Sequence, residues 1–160
     1  MLERLNDVDW SKHEDAYGPA TEVPDRLRAL LSTDAADRKK ALGALFAGLV
    51  HQGLVSPAAI PAVPFLAELA ANPDVADRPR ILVLLIDIAV MGSHQNFLSR
   101  GYELPRRSDW AQLPESELVP RGVYEAVAVY FDVIVGLVND KSAPVRAAAA
   151  LALAFLSREA

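Results

Sequence analysis

Two histidines and an aspartate are the residues of this chain whose types and spacing best fit chemistry. His51 and His94 stand 43 residues apart, each followed by a glutamine, Gln52 and Gln95. Asp87 precedes His94 by seven residues, which on a helix puts both on one face. Counted from Arg38 and Arg78 the histidines stand at +13 and +16, about one turn out of step, so both can lie along one edge of a helical array. Two imidazoles and a carboxylate around a cleft could hold a metal with open positions, or serve as acid and base. The close ligand spacing of an H-x-x-x-H pair is missing, so no metal and no cofactor are expected. The reading preferred for His51, Gln52 and His94 is that they end helices and bond to the adjacent loops.

Asp87, Glu125 and Asp132 interrupt otherwise apolar runs. Buried carboxylates with separated pKa values are how acid and base roles arise. The simpler expectation is ion pairing across neighbouring helices with Arg78, Arg80, Arg121 or Arg146, because an unpaired buried charge neutralises itself or destabilises the fold. Glycine-rich phosphate loops, Gly-x-Ser-x-Gly and His-Glu-x-x-His are all missing, and with no cysteine there is neither a thiol nucleophile nor a disulfide framework.

The elements that must position these groups read as helices almost throughout. Apolar residues at Leu42, Leu45, Phe46, Leu49 and Val50 follow the i, i+3, i+4, i+7, i+8 rule and predict a helix from about Asp34 to His51, stopped by Gly53. A shorter helix opens at Val23 with Pro24 in its first turn. Ser56 and Pro57 are expected to cap a helix running to about Ala71, bent by Pro61 and Pro64. After the turn Asn72, Pro73, Asp74, a nearly all-apolar helix begins at Asp77 and Arg78 and runs to Met91, as expected of a central element. Val123 to Val138 and Ala143 to Ser157 read as a last pair, and strand signals are absent.

Composition bounds the function. One domain over residues 1–160 is expected, with a 52% hydrophobic and 23% charged make-up typical of a folded domain. The longest apolar stretch, Ile81 to Met91, is too short to span a bilayer and contains Asp87, so no membrane partner is expected, and the start lacks a signal peptide, which makes a cytoplasmic location the expectation. Residues 1–37 hold nine acids and four bases while 38–160 hold twelve of each, so the whole net charge of −5 sits at the N-terminal end. An acidic end argues against nucleic acid as the main partner.

Arg38, Arg78 and Arg146 follow similar polar turns, at intervals of 40 and 68 residues. The first interval matches a helical repeat of 40 to 47 residues, and the second exceeds it by one inserted segment. The run Val145, Arg146, Ala147, Ala148, Ala149 resembles the second helix of a HEAT repeat. His51-Gln52-Gly53 followed by Val63-Pro64-Phe65-Leu66, with Asp9-Trp10, Ala16-Tyr17-Gly18 and Tyr124-Glu125-Ala126-Val127, is similar to bacterial HEAT-repeat (armadillo-type) proteins of a largely uncharacterised kind. The resemblance implies an all-α superhelix, a HEAT-like solenoid of about three helix pairs. Its parts are an N-terminal cap segment 1–22, repeats at 23–53, 56–92 and 119–158, and an inserted loop 93–118. It also implies an Asp/Arg ladder, in which each arginine bonds to the turns of adjacent repeats. The rival is a basic ridge with Lys39, Lys40 and Arg80 following a phosphate backbone.

These readings lead to a non-enzymatic scaffold that binds a protein or peptide through its concave face and the 93–118 loop. Tyr102, Arg106, Arg107 and Trp110 of that loop are the expected contact residues, since aromatic and arginine side chains dominate interface energetics. A last helix carrying Leu151, Leu153, Phe155 and Leu156 without a polar cap suggests a homodimer through that end. The alternative is a groove-bound enzyme, or a nucleic-acid-acting HEAT-like protein of the DNA glycosylase kind, using Asp87, His51 and His94.

Overall fold

The computed structural model describes residues 1–99 and 118–156. Seven helices are found among these residues: α1 (Val23–Ala29), α2 (Ala35–Leu49), α3 (Ala59–Ala71), α4 (Arg78–Ser99), α5 (Leu118–Ala128), α6 (Phe131–Leu137) and α7 (Ala143–Leu156). The mainly-α expectation therefore holds. No helix among the described residues is long and apolar enough to cross a membrane.

Helix α4 is the axis of the core. Ile81, Leu82, Leu84, Leu85, Ile86, Ile88 and Ala89 are all buried, which covers most of its circumference. It packs against α3, α5 and α7 and touches α2. Helix α1 lies on α2 and α6 on α7, while α3 contacts α1, α5 and α6. The N-terminal segment is stapled on by Trp10, whose ring sits 6.2 Å from that of Phe65. Its buried indole N–H donates to the Leu5 carbonyl at 2.9 Å.

Several boundaries differ from expectation. Strands exist after all, as two short antiparallel hairpins: β1 (Glu14–Asp15) with β2 (Gly18–Pro19), and β3 (Val50–His51) with β4 (Leu54–Val55). Helix α2 therefore ends at Leu49, and His51 lies on a strand rather than ending a helix. Gln52 and Gly53 both have positive φ, 51° and 80°, the pattern of the tight hairpin turn whose twist matches the flanking strands. Ser56 does not cap α3: its N–H is drawn back to the Leu49 carbonyl, its hydroxyl is buried without a partner, and Ala58 occupies the cap position.

The helix expected over 123–138 is two helices. Tyr130 leaves helical geometry (φ −96°, ψ 13°), its N–H turning back to the Val127 carbonyl. Val127, Val129, Tyr130 and Phe131 are β-branched or aromatic and favour a helix little. The break lets α5 lie on α4 while α6 lies on α7. Helix α4 continues to Ser99, through the first seven residues assigned to the loop. Gly92 and Ser93 are polar punctuation without a proline, and nothing in them stops a helix.

The same turn precedes three helices. At Ser32, Asn72 and Asp140 a side-chain oxygen accepts the N–H two residues on, and an arginine follows six residues after each. Arg38 donates from Nη1 to the carbonyls of Ser32 and Thr33, and Arg146 from Nη1 to those of Asp140 and Lys141. Arg78 reaches back from Nε to the Ala70 carbonyl at 2.8 Å. Two of the three also reach forward: Arg38 Nε to Asp77 at 2.7 Å, and Arg78 Nη2 to Asp140 at 2.6 Å.

Candidate functional site

The two hairpins meet at the C-terminal end of α2. The Ala16 N–H donates to the Gly48 carbonyl at 2.9 Å, and the Ala58 N–H donates to the Glu14 carbonyl at 3.0 Å. Gly48 is needed there, because a Cβ on it would stand 2.9 Å from Asp15 Oδ2 and 3.3 Å from Arg26 Nη1. The Asp15 carboxylate, only 6% exposed, accepts the Tyr17 N–H at 2.8 Å and Arg26 Nη1 at 3.2 Å. Arg26 is held from its other side by Glu22.

This buried support presents an exposed aromatic. Tyr17 is 68% exposed, and its ring meets the His51 ring edge-on at 5.4 Å and 68°. The phenol oxygen lies 3.4 Å from His51 Nδ1, a long and therefore weak hydrogen bond. Gln52 is exposed beside His51, and Leu54, paired with His51 across the hairpin, is 57% exposed. The patch offers an aromatic face, an imidazole, an amide and an apolar side chain, which suits adhesion to another surface. Sequence reasoning missed Asp15, Tyr17, Arg26 and Gly48 as site residues. The available signal was the Gln-Gly pair between Val50-His51 and Leu54-Val55, a two-residue hairpin signature.

The remaining candidates are scattered. His51 pairs with Tyr17 and not with Asp87. Asp87 stands on α4 near the exposed Val83, and among the described residues it has no hydrogen bond or ion pair. Burial pushes its carboxyl above the ordinary carboxylate range. A raised pKa in the folded state means that the ionised form costs stability at neutral pH, and that this cost disappears as pH falls through the folded value. Asp87→Asn is therefore expected to raise the thermal midpoint at pH 7 by about 1–2 °C. The gain should shrink as pH falls and vanish below 3.8, the ordinary aspartate value, where the carboxyl is neutral in the folded and the unfolded chain alike. A lower midpoint for the variant at pH 7 would show that the carboxylate is stabilised by a partner.

His94 belongs to α4, two turns beyond Asp87; its side chain, and Tyr102, Arg106, Arg107 and Trp110 in full, lie outside the described residues. Asp132 is exposed in the first turn of α6, and Glu125 is half-buried and engaged. Of the four arginines expected to pair with these carboxylates, Arg78 is spent on Asp140 and Arg146 on the carbonyls of Asp140 and Lys141, while the side chain of Arg121 lies outside the described residues. Arg38 and Arg78 are 14% and 6% exposed in their ion pairs, so a basic ridge would lack two of its members. No group of three histidine or acidic side chains among the described residues is disposed to hold a metal.

Comparison of the chain with family models, with curated proteins and with solved structures finds no match.

Proposed function

We propose that the chain is a HEAT-like α-solenoid module that binds a protein or peptide without catalysing a reaction. Three features support the stacked-repeat part of this reading. The turn with its trailing arginine recurs at Arg38, Arg78 and Arg146. Arg38 bridges its own turn, and Arg78 the end of α3, to the next turn along. The first helices of the pairs contact one another, as do the second ones. In this reading residues 1–22 cap the array and α1–α2, α3–α4 and α5–α6–α7 are the repeats. The concave surface is then the exposed side of the second helices, including Arg80, Val83 and Asp87 of α4.

The observation that carries the binding part is the Tyr17, His51 and Leu54 patch. A tyrosine two-thirds exposed is ordinarily free to move, but this one projects from a turn fixed by a buried carboxylate, a buried-side arginine and a glycine that admits no side chain. Rigid aromatic side chains lose little entropy on contact and dominate binding energy. The patch lies where α2 ends, and hairpin β3–β4 also contacts α4 and α5, the helices that flank residues 100–117.

Selection from a displayed peptide library tests the reading. Peptides enriched on the wild-type chain are expected to bind Tyr17→Ala and His51→Ala at least tenfold more weakly, the usual loss at an interface hot spot. Enriched peptides that bind both variants as well as wild type would place recognition elsewhere, and failure to enrich any peptide would reject the peptide-binding reading.

A further inference from the structure

The arginine series leaves one arginine without an aspartate ahead of it and one aspartate without an arginine behind it. Arg38 and Arg78 each spend one guanidinium nitrogen on carbonyl oxygen behind them and another on an aspartate ahead, Asp77 and Asp140. Arg146 makes only the backward bonds, both from Nη1. Among the described residues its Nε and Nη2 meet no acceptor. Asp37 precedes Arg38 just as Asp77 precedes Arg78, so it holds the position at which the Arg38 rung ends, whereas the Arg78 rung ends six residues before Arg146. Asp37 is exposed, and it accepts only the Ser32 hydroxyl, at 3.3 Å.

The surfaces around these two groups differ in shape in a complementary way. On α7, Ala147, Ala150, Leu151 and Ala154 join Arg146 on one exposed face, with Leu151 49% exposed. Between α1 and α2 runs an open cavity of about 820 Å³ with Ala29, Ala41 and Ala44 among its lining and Asp37, Lys40 and Arg28 at its sides. A ridge of alanines with one leucine can lie along the three alanines of this trough, whose other lining is three acidic and three basic side chains and Ser32, as helices pack ridge into groove.

We propose that copies of this chain associate head to tail. The α7 face of one copy seats in the α1–α2 trough of the next, and Arg146 closes on the partner copy's acidic position 37 as Arg38 closes on Asp77. The proposal rests on the stacked-repeat reading. Because the two surfaces are different patches, the association is heterologous and extends as an open chain instead of stopping at a dimer.

Sedimentation velocity of the full chain, from ~10 µM to ~1 mM, tests this over the range where weak self-association becomes visible. The expected result is an average mass that climbs with concentration beyond twice 17.3 kDa. Arg146→Asp and Asp37→Arg should each weaken association at least tenfold. The double variant, which restores the pair with its charges exchanged, should recover it. Both positions are exposed, and unchanged far-ultraviolet circular dichroism will confirm that each variant folds. A monomer at every concentration overturns the proposal, as does a plateau at two copies that Leu151→Arg abolishes and Asp37→Arg leaves intact. The peptide-selection result is independent of all three outcomes, so failure of the association does not count against the Tyr17 and His51 site.

Discussion

Arg78→Ala is expected to lower the stability of the chain by about 3 kcal/mol, the usual cost of removing one partner from a buried ion pair. The Arg78 side chain is 6% exposed and joins the end of α3, through the Ala70 carbonyl, to the turn before α7, through Asp140. Removing it orphans a carbonyl and a carboxylate together. Arg78→Lys should rescue little, because the two bonds leave from Nε and Nη2 and a single ammonium cannot make both. Urea titration at pH 7 measures the loss. A change below about 1 kcal/mol would mean that the pair is no stronger than a surface salt bridge.

The pH dependence of that loss has a definite sign. The Arg78 guanidinium, helped by the Ser142 N–H, holds the Asp140 carboxyl below the ordinary aspartate value of 3.8. A depressed folded pKa gives stability that is complete above the unfolded value and is lost as pH falls through the folded one. Wild type and Arg78→Ala should therefore differ most at neutral pH, and the difference should shrink in strong acid to the part that the Ala70 carbonyl bond contributes.

Trp10→Ala should cost about 3–5 kcal/mol, the range for deleting a large buried aromatic. Trp10 is 6% exposed, lies against Phe65 of α3 and donates to the Leu5 carbonyl, so the substitution empties the space between the N-terminal segment and α3. Trp10→Phe keeps most of the ring and loses the hydrogen bond, and should cost about 1–2 kcal/mol. The signature beyond lowered stability is earlier proteolysis of residues 1–22 than of the helices. Equal cleavage of both would show that the segment and the helices unfold together.

The arginine positions were legible because their information is local. A polar turn, a helix start and an arginine six residues on are each visible in the chain, and the bonds at Arg38 and Arg146 repeat with the same partners by offset. The hairpins were not legible by periodicity, since strands of two residues are too short to show a period of two. Only turn chemistry, Gln52-Gly53, marked one of them. The break at Tyr130 was hidden for a different reason. Apolar residues run through it without interruption, and what separates α5 from α6 is which neighbour each half covers. His51 was picked for its chemistry, but its partner was not, because Tyr17 is 34 residues away and reaches it only through the pairing of two turns.

The forward rungs also bear on how the chain finds its fold. Arg38 to Asp77 closes over 39 residues and Arg78 to Asp140 over 62. The extra chain entropy of the longer closure is only about 0.4 kcal/mol, since that cost grows with the logarithm of length. Loop length thus barely ranks the two events, and the direction of synthesis does. The first rung has all its residues once Asp77 has left the ribosome, while Asp140 is still unmade, so the chain is expected to fold from its acidic end as it is translated.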